Sequence, residues 1–76
     1  MNNANRKELE RAKALILEAS EIIEQIKDDE QEKFDNMPEG LQSSEKGDKM
    51  SEGIDALDSA ISDIESAIEN IETASE

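Results

Sequence analysis

Apolar residues return along the second half of the chain with a helical period. Met50, Ile54, Leu57, Ile61, Ile64, Ile68 and Ile71 are spaced 4, 3, 4, 3, 4, 3, so all seven fall on one stripe of a helix. Gly53, Ala60, Ala67 and Ala74 recur every seven residues beside that stripe, and Asp55, Asp58, Glu65, Glu69 and Glu72 are expected on the face away from it. A heptad pattern sustained over more than three repeats predicts a helix that must bury one side. The first half is written in the same period. Leu9, Ala12, Ile16, Ala19, Ile23 and Ile26 are spaced 3, 4, 3, 4, 3, and Leu15 and Ile22 widen the stripe.

Local signals set the expected boundaries of one domain, with a first helix over about 5–35, a bend over about 36–47 and a second helix over about 48–74. Asn5-Arg-Lys-Glu8 matches a capping box, which places the first helix start near Asn5. Glu30 and Lys33 occupy positions that the heptad would make apolar, so tight packing is expected to end near Ile26. Pro38 disfavours helical backbone at Met37, while Gly40 and Gly47 are free to take positive φ. Asn36-Met-Pro-Glu39 is a second capping box, which predicts a short helical turn over 37–43. Phe34, Met37 and Leu41 read as an apolar plug closing the bend, and Asp48 or Ser44 as the cap of the second helix.

The fold expected is all-α, an antiparallel hairpin of two long amphipathic helices. With facing residue numbers totalling roughly 83, Ile16 would face Ala67, Ala19 would face Ile64, Ile23 would face Ala60 and Ile26 would face Leu57, large mostly against small. Each stripe is three columns wide, and two helices bury only a narrow seam. The pattern therefore predicts a homodimer forming a four-helix bundle, its core drawn from Leu9, Leu15, Ile16, Ile22, Ile23, Ile26, Ile54, Leu57, Ile61, Ile64, Ile68 and Ile71. A monomer offering a groove to a foreign helix would satisfy the same pattern.

Seventy-six residues without Cys or His leave no disulfide or zinc staple, which adds weight to association as the source of stability. Absence of Cys suits a reducing cytoplasm, and the polar start and short apolar runs support neither a signal peptide nor a membrane span. The formal net charge is −13, and residues 50–76 hold eight acids and no base. Such a surface repels nucleic acid and anionic lipid and attracts a basic protein surface, although acidity also serves solubility alone. With no His or Cys, no phosphate-binding glycine loop, no Glu-x-x-His pair and no EF-hand loop, neither catalysis nor a cofactor or metal is expected.

The stretch EKFDNMPEGLQSSEKGDKM, residues 32–50, resembles small acidic helical hypothetical proteins of bacteriophages and prophages that share an F-D-N-x-P-E-x-L-Q-x-S-E-x-G core. The resemblance covers nearly the whole chain, with residues 34–47 diagnostic. It implies a small cytoplasmic viral or mobile-element product in a bacterial host, and some phage proteins of this size and acidity bind and block host defence proteins; that step is analogy. Two functional expectations compete. An inhibitory binder would present Asp55, Asp58, Glu65, Glu69 and Glu72 as a mimic of a phosphate track. A structural or adaptor module would act by helix pairing or through Asn36, Glu39, Gln42 and Ser43 on the bend. A sponge for a small signalling molecule at an oligomer interface is a third, with Lys46 and Lys49 the only bases placed for an anionic ligand.

Overall fold

The computed structural model describes residues 1–76 and consists of three helices: α1 (Asn3–Asp35), α2 (Glu39–Gln42) and α3 (Glu45–Ala74). No helix is long and apolar enough to cross a membrane. Helices α1 and α3 lie against each other as an antiparallel hairpin, and the chain measures 57 × 15 × 12 Å. Its radius of gyration, 17.2 Å, far exceeds the ~11 Å of a compact chain of this length.

Capping chemistry sets the ends, in places differently from the sequence expectation. Helix α1 begins before Asn5, because Asn2 is its cap: the Asn2 side chain accepts from the Asn5 backbone N–H at 2.7 Å. Ser44, not Asp48, caps α3, its hydroxyl oxygen accepting from the Gly47 N–H at 3.3 Å. Glu45 and Asp48 then lie in the first turn, where the helix dipole favours acids. The expected turn within the bend is present as α2, but its cap is Pro38, without a side-chain bond, so Asn36 does not close a capping box. No glycine has positive φ. Gly47 serves differently: it is buried in the first turn of α3, against the Leu41 and Gln42 carbonyls, where no Cβ fits. The plug is partial, with Phe34 and Met37 half-buried and Leu41 exposed.

The seam on α3 is the predicted stripe, from Met50 through Ile71, each residue buried or half-buried. The seam on α1 is rotated from the expected one. It runs through Leu9, Lys13, Ile16, Ser20, Ile23, Lys27, Glu30 and Phe34, all half-buried, whereas Ala19 and Ile26 are exposed. Ala19 and Ile26 therefore do not face Ile64 and Leu57 as expected, and the seam continues beyond Ile26. Cross-helix ion pairs accompany the rotation. Lys13 pairs with Glu72 at 3.7 Å and Lys27 with Asp58 at 2.9 Å, and a lysine stem covers apolar surface while its head stays wet.

Only Ile54 and Gly47 are buried in the whole chain. Leu15, Ile22 and Ile26 are 57%, 53% and 48% exposed, so three of the core residues expected on α1 have no cover within the chain.

Candidate interaction surfaces

The ion pairs give the hairpin two unlike flanks. On α1, Lys13, Ser20 and Lys27 border the seam on one side, and on α3 Asp58, Glu65 and Glu72 do the same. Because Lys13–Glu72 and Lys27–Asp58 join these columns, they share one flank. Each column repeats every seven residues, and the joined pairs, 13 with 72 and 27 with 58, both total 85. Ser20 with Glu65 has the same total, so this ladder has a middle rung that carries no lysine. The Lys27 ammonium is held above the ordinary 10.5 of lysine, chiefly by its hydrogen bond to Asp58. Lys33, near the end of α1, is raised likewise, first by Asp29 and then by Glu30.

The five acids expected to form a free acidic face thus divide. Asp58 and Glu72 stand at the edge of the seam with lysine partners, which corrects their expected place on the far side. Asp55, Glu65 and Glu69 are exposed and make no ion pair. At ~1.5 Å rise per residue they span about 21 Å along α3. No group of three or more acidic side chains converges as a metal site.

At the bend, Asn36, Glu39 and Ser43 are exposed at the tip, and the Ser43 hydroxyl donates to the Glu39 carbonyl at 2.8 Å. Gln42 is committed inward: its amide donates to the Phe34 carbonyl at 2.9 Å, tying α2 to the end of α1. An open groove beside the bend is lined by Glu30, Lys46, Lys49, Met50, Gly53 and Leu57, among others. The two lysines expected near an anionic ligand do line it, although Glu30 and Glu45 offset their charge.

Sequence reasoning missed Arg6. From the first turn of α1 its guanidinium donates to the Ser75 carbonyl at 3.0 Å and the Glu76 carbonyl at 3.5 Å. The last turn of α3 has no base of its own, so Arg6 supplies the positive charge that the helix C-terminus favours. An i,i+4 pattern could not reveal this contact, since the partners stand at opposite ends of the chain.

The second flank is mainly apolar, with Asp63 exposed at its α3 edge. Ala12, Ala19 and Ile26 border the α1 seam on the side away from the lysines, and Leu15 and Ile22 extend that column outward. Gly53, Ala60, Ala67 and Ala74 border the α3 seam on the same flank. Nothing lies within 4 Å of a Cβ built on Gly53, so this side is open. No protein-family model, curated protein or solved structure matches the chain.

Proposed function

We propose that this chain is a small, non-enzymatic, phage-type binding protein that works in the bacterial cytoplasm as a homodimer, a four-helix bundle of two hairpins. It blocks or sequesters a host protein by laying the acidic flank of α3 against a basic surface. The observation that carries this reading is the separation of charge from grease. One flank bears Asp55, Glu65 and Glu69 without basic partners, with Leu17 its exposed apolar residue, while the other leaves Leu15, Ile22 and Ile26 largely uncovered, with Asp63 an unpaired acid on α3. A surface needed only for solubility has no reason to sort its acids this way, whereas a basic partner, such as a nucleic-acid-binding cleft, gains affinity from acids in rows.

Pull-down from a bacterial lysate at low and high salt tests the proposal. The expected result is a basic protein captured at low salt, released at high salt, and lost with the triple variant Asp55→Asn, Glu65→Gln, Glu69→Gln. Salt-resistant capture that survives this variant and disappears with Asn36→Ala or Glu39→Ala would transfer recognition to the bend. That adaptor reading is favoured by one feature, Leu41, exposed at the tip between Glu39 and Ser43.

A further inference from the structure

We infer that the apolar flank binds a second copy of this chain in one arrangement, with both bends at the same end and α1 of each copy lying on α3 of the other. The inference rests on the dimer reading above and adds which surfaces meet and how they are oriented.

Area supplies the first argument. The chain exposes 5604 Å², whereas a compact chain of 8.4 kDa exposes about 4,600 Å². The excess, about 1,000 Å², is slightly more than the ~800 Å² per partner of a standard stable interface. Two copies each carrying net −13 repel, so their contact must use a flank with few charges. The flank bearing Leu15, Ala19, Ile22 and Ile26 comes nearer that condition than the ladder flank, with Asp63 an exposed acid beside its α3 column.

Register supplies the second argument. Contacts between α1 and α3 join residues 6 with 75, 13 with 72 and 27 with 58, which total 81, 85 and 85. Within that range of totals, Leu15 stands within one helical turn of the level of Ala67 and Ile22 of Ala60, both totalling 82 and repeating every seven residues. A two-fold axis along the length of the hairpin keeps every residue at its level. It sets Leu15 and Ile22 of one copy against Ala67 and Ala60 of the other, large into small, with Ala19 level with Asp63 between them. The chain thus carries both halves of one interface, which a foreign helix would match only by chance. The alternative two-fold axis, across the hairpin, stacks α1 on α1 and opposes large with large. It then sets α3 on α3, small against small, so the two layers would need different spacings.

The chain has no cysteine, so introduced thiols report contacts directly. Single variants Leu15→Cys and Ala67→Cys, one enlarged by a tag, are mixed and oxidised, as are Ile22→Cys and Ala60→Cys, with Ile22→Cys alone as the comparison. Sedimentation equilibrium of the wild-type chain accompanies them. We expect twice the mass of one chain, mixed-size disulfides in both pairs, and little self-linking of Ile22→Cys. The double variant Leu15→Glu, Ile22→Glu should dissociate at least ~100-fold more readily while its circular dichroism stays helical, because neither residue is in the seam. A dimer in which Ile22→Cys links to itself and the mixed pairs do not would overturn this arrangement and leave the dimer standing. A dimer unmoved by the double glutamate variant would place the interface elsewhere, and a wild-type monomer at high concentration would overturn the dimer itself.

Discussion

Two glycines on α3 provide a paired test of how the bend is held. Gly47→Ala would place a methyl group 2.5 Å from the Leu41 carbonyl oxygen and 2.6 Å from the Gln42 carbonyl carbon, with the Gln42 oxygen nearer still. Ordinary contact begins at 3.4 Å, so the α2 backbone must retreat by roughly 1 Å or detach from α3. The obstruction is backbone and cannot rotate aside, which places the cost at the upper end of overpacking, ~3 kcal/mol. Alanine regains ~1 kcal/mol of helix propensity. The net is a loss of about 2 kcal/mol. Gly53→Ala meets nothing within 4 Å and keeps the propensity gain alone. Thermal unfolding followed at 222 nm should therefore show Gly47→Ala melting about 8–16 °C below wild type and Gly53→Ala about 4–8 °C above it. Protein concentration must be held fixed, because association raises apparent stability. A Gly47→Ala chain that melts at or above the wild-type temperature would refute the close approach of α2 to α3.

Three further outcomes are expected. Ser20→Lys fills the empty rung opposite Glu65 and should stabilise by ~0.2–1 kcal/mol in low-salt urea titrations, the gain shrinking at high salt; an equal gain at both would mean that no cross-helix pair forms. Because Lys27 is raised above 10.5 by Asp58, its contribution is complete below that value and fades as pH climbs through the raised one. The melting difference between wild type and Asp58→Asn should accordingly hold from neutral pH to 10.5 and narrow above it, and a constant difference would remove the pair from the account. Gln42→Ala deletes the bond to the Phe34 carbonyl and should cost ~1 kcal/mol in chemical denaturation, with α1 and α3 remaining helical; an unchanged midpoint would show that α2 is not tied to α1 through this amide.

Much of the architecture is legible in the residues themselves. The 4, 3 spacing from Met50 to Ile71 dictates both a helix and its buried side, because only one face of α3 is apolar enough to turn inward. Caps are less legible: Asn2, Asn5, Ser44 and Asp48 are all competent, and local chemistry does not rank them. The periodicity of α3 alone puts Asp58 and Glu72 on the far face, because one helix's pattern carries no trace of the lysines of its neighbour. The bend residues were divided by the same limitation, since Gln42 looks as exposed as Ser43 until the Phe34 carbonyl is seen beside it.

The sequence by itself determined two amphipathic helices, a reversal between them and more apolar surface than a hairpin can cover, since periodicity and turn chemistry act over a few residues. Tertiary structure decided which of two adjoining columns on α1 turned toward α3. Lys13 and Lys27 reach acids across the seam, and Ser20 lies inward with them while Ala19 and Ile26 stay outside. It also set Arg6 on the end of α3 and the bare Gly47 backbone against α2. These are contacts between parts of the chain whose relative positions no local pattern specifies, and they leave one flank of the hairpin greasy and the other charged.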